Sequence, residues 1–159
     1  MFLGIDVGSQ SLKAVLLDDA LRLLGRGARS YPIEFPQPGW AEQRPQVWEA
    51  ALGPAVAEAL ATAGRGSRDV VAIGIAGQLD GSVPVDAAGR PLGPCLIWMD
   101  RRADGGLAAL RERVRAQDFR RRTGANLDGS FSPRLGLLAN QLRRILAACA
   151  SCELRAHDT

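Results

Sequence analysis

The sequence contains few of the residue types that most often reveal a function. Its 159 residues include three cysteines, one histidine and one lysine, and aromatic residues make up only 5%. An odd and small number of cysteines argues against a disulfide framework. The net charge of +3 is too small to indicate nucleic-acid binding, and almost no aromatic residues lie near the clustered arginines to stack on bases.

Long apolar runs are also lacking. No segment approaches the roughly 20 apolar residues that a membrane-spanning helix needs. Asp6 interrupts the first apolar run, so the N-terminus does not resemble a secretory signal peptide. The hydrophobic fraction of 47% and the charged fraction of 23% are ordinary for a globular protein. We therefore expect one globular domain in the cytoplasm, bound neither to a membrane nor to nucleic acid.

Hydrophobic periodicity predicts an α/β domain with a mixed β-sheet. Gly25 and Gly27 weaken the third strand, and Pro54 predicts a kink or a break in the first helix. The apolar run after Asp69 is uninterrupted, which predicts a strand buried on both faces. In chain order, the predicted elements are strands at 2–7, 12–17 and 23–33, a helix from Pro45 to Gly64, a strand at 69–75, a hairpin of 82–86 with 95–98, and helices at 107–114 and 132–149.

The turn after the first strand carries the first chemical signal. Residues 6–13 read Asp-Val-Gly-Ser-Gln-Ser-Leu-Lys. Gly8 lets backbone N–H groups approach an anion closely because no Cβ is in the way. Asp6 would repel that anion unless a divalent cation lay between them, and Mg²⁺ favours a carboxylate, water and phosphate oxygens. The pattern fits a phosphate site, or equally an ordinary hairpin with an acid in its turn.

Four segments together resemble the N-terminal domain of the FGGY carbohydrate kinases, which include xylulokinase and glycerol kinase. The resemblance covers residues 2–142, and residues 143–159 would form a helix end and a terminal tail. It implies a ribonuclease-H-like (actin-like ATPase) fold, with a mixed sheet flanked by helices. The four segments are GIDVGSQSLKAVLLD, GWAEQRPQVWEAA, AIGIAGQLDGSVPVDAAGRPLGPCLIWMDRRA and TGANLDGSFSPRL.

The resemblance implies transfer of the γ-phosphoryl group of ATP to a hydroxyl of a sugar or polyol. Such transfer depends mainly on positioning and on charge neutralisation by Mg²⁺. By resemblance, Asp6 would hold Mg²⁺ through water, and Lys13 occupies a position that is basic in these kinases. Gln10 stands where a small residue or threonine is expected. The implied cofactor-binding residues are Asp6, Gly8, Ser9, Gln10, Ser11 and Lys13.

The substrate would bind after the strand at 69–75 and in the Trp-Met-Asp-Arg-Arg segment. A carboxylate accepts hydrogen bonds from sugar hydroxyls, and a tryptophan face suits the C–H surface of a sugar. Leu79-Asp80 matches neither the Met-His of xylulokinases nor the Arg-Glu of glycerol kinases, which leaves the substrate open. The implied substrate-binding residues are Gln78, Leu79, Asp80, Trp98 and Asp100. Alternatively, Asp80 forms a turn before Gly81, Trp98 belongs to the core, and Asp100 pairs with Arg102.

FGGY kinases have a second lobe, which by resemblance supplies the general base, the adenine site and many of the contacts with ATP. We expect that C-terminal ATP-binding domain to be absent from 159 residues, so the chain would be a fragment, a truncated gene product, or one half of a split enzyme whose C-terminal lobe is a separate partner. The alternatives are a truncated non-catalytic domain that binds sugar or a partner, and a different actin-like ATPase. Cys149 and Cys152 have the spacing of a metal half-site without the further ligands zinc needs. Asn126-Leu127-Asp128 fits either a substrate-side loop or a turn.

Overall fold

The sheet begins as an antiparallel meander. A computed structural model describes residues 1–104 together with residues 107, 115, 117, 120, 121 and 124. Strands β1 (Phe2–Val7), β2 (Ser11–Leu17) and β3 (Leu23–Ser30) pair in sequence order, as predicted, although β3 ends earlier than residue 33. Alternate side chains of β1 and β2 are buried, among them Leu3, Ile5, Leu12, Ala14 and Leu16. This alternation is typical of a sheet with one face on the core.

Helix α1 (Pro45–Ala63) follows the short strand β4 (Glu42–Gln43) and packs on β3 and β2. Pro45 begins the helix, and Gly64 ends it in the left-handed conformation with φ of 62°, as predicted. The helix continues through Pro54, so the predicted break does not occur. Proline removes only one helical N–H, and the packing of α1 on the sheet holds the rest of the helix.

Strand β5 (Ala72–Gly77) pairs in parallel with β1 and gives the sheet the order β3-β2-β1-β5. The mixed sheet is therefore confirmed, but the prediction that this strand is buried on both faces is wrong. Every residue of β5 is exposed, with Ile73 at 60% and Ile75 at 74%. The reason is its position: within the described residues β5 lies at the edge of the sheet, while α1 covers β3 and β2.

The predicted hairpin of 82–86 with 95–98 forms only in part. Strand β6 (Cys95–Leu96) pairs with β4 in a second, two-stranded sheet, and 82–86 contributes only isolated bridges, such as Ser82 to Leu96. Proline cannot donate to a strand ladder; Pro84 lies within 82–86, and Pro91 and Pro94 lie in the connection that leads into 95–98. The predicted helices at 107–114 and 132–149 lie outside the described residues, apart from Leu107.

Candidate functional site

Two hydrogen bonds hold the turn between β1 and β2 in place. The N–H of Gly8 donates to the carbonyl of Ser11 at 3.1 Å, and the hydroxyl of Tyr31 donates to the carbonyl of Gly8 at 2.6 Å. Burial, and then the negative charge of Asp6, raises the pKa of Tyr31 above its ordinary value. The tyrosine therefore stays protonated and remains a donor to the turn.

The geometry of this turn fits an anion. A Cβ at Gly8 would lie 3.2 Å from the Ser11 carbonyl oxygen and 3.7 Å from Oδ2 of Asp6, so a side chain would fill the space beside the carboxylate. Among the residues that the structure describes, the backbone N–H groups of Ser9 and Gln10 donate to no protein acceptor. Two N–H groups in a glycine turn can therefore serve a phosphate.

Asp6 and Lys13 stand opposite each other on β1 and β2. The Nζ atom of Lys13 lies 3.5 Å from Oδ2 of Asp6, and the side chains are 60% and 50% exposed. An ion pair this exposed contributes little to stability, so both groups are available to a ligand. Asp6 can hold Mg²⁺ through water, because a half-exposed carboxylate beside an anion cradle supplies the oxygen ligand that Mg²⁺ prefers.

The segment Gln78-Leu79-Asp80 lies at the same edge of the sheet as Asp6. β1 and β5 run in parallel, and Val7 is the partner of Gly77, so both strands end side by side. The N–H of Gln78 continues this pairing by donating to the carbonyl of Val7 at 2.9 Å. Asp80 has φ of 62°, a conformation that few residues other than glycine, asparagine and aspartate adopt. Unusual backbone of this kind is often found at binding sites.

Trp98, two residues after β6, contacts the turn between β1 and β2. Its indole Nε1 donates to the hydroxyl oxygen of Ser9 at 2.9 Å, and the residue is 46% exposed. The interpretation of Trp98 as a core residue is therefore wrong, because nearly half of it faces solvent. A half-exposed indole leaves an apolar surface for the C–H face of a sugar.

These residues line one cleft. It consists of two adjoining cavities of about 420 and 430 Å³ that share Gly8, Ser9 and Trp98. The cleft brings together ten of the predicted site residues, namely Asp6, Gly8, Ser9, Gln10, Ser11, Lys13, Gln78, Leu79, Asp80 and Trp98. Which ligand atoms each of them contacts stays a prediction. The volume suits a small ligand.

Asp100 does not reach the cleft, which corrects its prediction as a substrate ligand. It is fully buried. Its Oδ2 accepts the N–H of Ala41 at 2.8 Å, and both of its carboxylate oxygens accept from Nε of Arg102 at 2.9 Å. The N–H of Asp100 also donates to the carbonyl of Ile97 at 2.9 Å, closing a turn. That turn separates Trp98, at the cleft, from a carboxylate that faces the interior.

Arg102 lies at the centre of a buried ionic cluster. Its Nη2 donates to Glu42 at 2.6 Å and to Asp100 at 2.7 Å, and its guanidinium carbon lies 3.7 Å from the ring centroid of Trp40. Burial alone would lower the pKa of Arg102, but the hydrogen bonds that it donates to Asp100 and Glu42 outweigh burial, so its pKa lies above the ordinary value. The alternative interpretation of Asp100 as an ion-pair partner of Arg102 is therefore confirmed.

Two residues beside the cleft were missed in the sequence. Tyr31 holds the turn through Gly8. The fully buried Gln43 connects Ser9 with Gln78. No local signal marks Gln43, because it follows the charged Glu42 and its partners Ser9 and Gln78 are distant in sequence.

The described residues contain neither a cluster of metal ligands nor a membrane-spanning helix. Across the described part of the chain, no group of three or more His, Cys, Asp or Glu residues could hold a metal ion. Cys149, Cys152 and His157 lie outside that part, as do Asn126 and Asp128. Within the same residues, no helix is both long and apolar enough to cross a membrane.

Comparison with known proteins places these features in a family. The model of the FGGY family of carbohydrate kinases, N-terminal domain, matches residues 1–136. A glycerol kinase from Delftia acidovorans is 36% identical over 132 residues, which is 82% of this chain and 26% of the relative. The chain therefore spans about a quarter of the length of that relative.

Solved structures show the same fold. The xylulose kinase from Rhodospirillum rubrum superimposes with a TM-score of 0.82 at 28% identity, over 92% of this chain and 30% of that one. A Plasmodium falciparum glycerol kinase solved with ADP has a TM-score of 0.76 at 21% identity, over 93% of this chain and 31% of that one. At 21% identity, the likeness to the Plasmodium structure concerns the fold alone. The fold is the actin-like, ribonuclease-H-like fold of the FGGY sugar kinases.

Proposed function

Because the chain belongs to the FGGY family of carbohydrate kinases, whose N-terminal domain it represents, we propose that it serves ATP-dependent phosphorylation of a sugar or polyol hydroxyl. It supplies the sugar-binding side and the first phosphate turn. One observation carries the proposal: Asp6, the glycine turn and the Gln78–Asp80 segment meet at a single cleft. A cytoplasmic location, where ATP is available, is part of the proposal.

The roles of the residues follow from their chemistry. The N–H groups of Ser9 and Gln10 donate to phosphate oxygens, and Lys13 adds a positive charge beside them. The carboxylate of Asp80 accepts a hydrogen bond from a hydroxyl of the sugar, and the Trp98 ring covers the C–H face of the sugar. When bound, Mg²⁺ neutralises charge on the phosphates, and Asp6 is the residue that would hold it. The general base and the adenine site belong to a C-terminal lobe, either as a further part of the same protein or as a separate protein partner.

A second candidate is a binding domain that transfers nothing. It is favoured by one observation: the predicted site residues that line the cleft are all cofactor- or substrate-binding residues, and none of them is predicted to be the general base. Calorimetry on the full chain with a panel of ketoses and polyols that includes xylulose and glycerol, with and without Mg·ATP, measures binding, and ADP release measures turnover. Binding without ADP release from the isolated chain supports the binding domain. ADP release that depends on a polyol supports the kinase, and the absence of any polyol binding contradicts both.

Asp80→Asn should lower polyol affinity at least about tenfold, since a hydrogen bond to a charged acceptor contributes about 1.5–3 kcal/mol. Asparagine adopts the left-handed conformation nearly as readily as aspartate, so the backbone at φ of 62° is preserved. Calorimetry provides the measurement. Asp19→Asn is the matched control, because Asp19 is 92% exposed in its side chain and lies in the turn after β2, away from the cleft. Wild-type affinity in the Asp80 variant would show that this carboxylate does not bind the sugar.

A further inference from the structure

Gln43 occupies a position in which the orientation of its amide is fixed. It lies on β4 and is fully buried. Its Nε2 donates to the carbonyl oxygen of Ser9 at 2.7 Å and to that of Pro32 at 3.1 Å. Two carbonyl oxygens can be satisfied only by the NH₂ end of the amide. The Oε1 of Gln43 must therefore face away from them and act as an acceptor.

This orientation fixes every hydrogen bond that follows. Nε2 of Gln78 donates to Oε1 of Gln43 at 2.8 Å, which leaves Oε1 of Gln78 as the atom 3.0 Å from the hydroxyl of Ser9. That hydroxyl must donate to it, because a carbonyl-type oxygen has no proton to give. The same Ser9 oxygen accepts from the indole of Trp98, which is a donor only. The chain of bonds has a single direction from end to end.

We propose that Gln43 is a positioning residue of the cleft, which orients the Ser9 hydroxyl and, through it, the Trp98 indole. The single proton of the Ser9 hydroxyl is directed to Gln78, so the side chain of Ser9 holds Trp98 and the phosphate is left to the backbone N–H groups. Gln78 and Trp98 lie on the sugar side, and Ser9 lies in the phosphate turn. Gln43 thus links the geometry of the two halves of the cleft. The consequence for sugar affinity rests on the proposed function.

The test uses the full chain and Gln43→Glu, a variant of nearly the same size that cannot donate when ionised. The indole ¹H–¹⁵N resonance of Trp98, identified by its loss in Trp98→Phe, reports the hydrogen bond to Ser9 directly. We expect this resonance to shift and the affinities for glycerol and xylulose to fall at least about fivefold. Gln46→Glu introduces the same change at an exposed position three residues along and should leave both measurements unchanged.

Gln43→Met removes the amide without adding a buried charge and is the second variant, which decides if Gln43→Glu does not fold. A folded variant with a wild-type Trp98 resonance and wild-type polyol affinity would overturn the inference. Non-additive effects of Gln43→Met and Ser9→Ala on affinity would support a shared chain of bonds. If the wild-type chain binds no member of the panel of ketoses and polyols, the proposed function fails, while the Trp98 resonance still decides the role of Gln43.

Discussion

Gly27→Ala should lower the free energy of unfolding by about 3 kcal/mol, near the upper end of the usual cost of overpacking. A Cβ at Gly27 would lie 2.1 Å from the carbonyl oxygen of Ala55, 2.8 Å from Cβ of Glu58 and 2.9 Å from the N of Ala59. Two of these atoms belong to the backbone of α1 and the third is fixed to it. They cannot rotate away, so the helix must move off the sheet or β3 must bend.

Urea unfolding followed by circular dichroism measures this change. Gly74→Ala is the matched control, because Gly74 is also a strand glycine, is exposed in β5, and would place its Cβ within 4 Å of nothing. Alanine is favoured over glycine inside a strand by about 0.5–1 kcal/mol, so this variant should be slightly more stable than the wild type. If Gly27→Ala unfolds at the same urea concentration as the wild type, the close contact between β3 and α1 is not present in solution.

This contact shows why a sequence pattern can predict an element and misjudge its packing. The two glycines of β3 weaken the strand by intrinsic preference, yet they let the strand approach α1 closely at Ala55 and Ala59. The most buried face of the helix carries Ala51, Ala55 and Ala59. The larger residues that indicate the helix in the sequence lie partly exposed, as Leu52 does at 41%. Small residues carry little hydrophobic signal, so the interface was not predictable from periodicity.

Local signals predicted the elements well, whereas burial depended on distant segments. The ends of α1 followed from Pro45 and Gly64, whose effects are confined to neighbouring residues. The burial of β5 depended on where α1 lies across the sheet, which no property of residues 72–77 encodes. An apolar run indicates a strand that can be buried, but the position of the strand in the sheet decides whether it is.

The cleft illustrates the same division. The residues around Gly8 and after β5 were predicted from the resemblance to the FGGY kinases, and they meet in the structure because β1 and β5 run in parallel and end at the same sheet edge. Asp100 was misplaced because the turn at 97–100 reverses its direction relative to Trp98. Gln43 was missed because its role depends on contacts with Ser9 and Gln78, which are distant in sequence.

Arg102→Leu should lower the free energy of unfolding by about 3–5 kcal/mol, the usual cost of leaving a buried charge without its partner. Asp100 is fully buried, and Glu42 is 9% exposed, so solvent cannot replace the guanidinium. The variant also loses the contact with the Trp40 ring, 3.7 Å from the guanidinium carbon. Arg102→Lys keeps the charge but not the planar fork that reaches both carboxylates, and should lie between the leucine variant and the wild type.

Arg101→Leu is the matched control for this prediction, because Arg101 is exposed and such surface changes usually alter stability by no more than about 0.5 kcal/mol. Urea unfolding of the three variants measures the difference. A loss below about 1 kcal/mol in Arg102→Leu would mean that the carboxylates of Asp100 and Glu42 do not depend on the arginine in solution. The Asp100 carboxylate also binds the N–H of Ala41, so the cluster joins the segment before α1 to the turn that carries Trp98. Loss of this ionic cluster should therefore destabilise the Trp98 side of the cleft before the rest of the cleft.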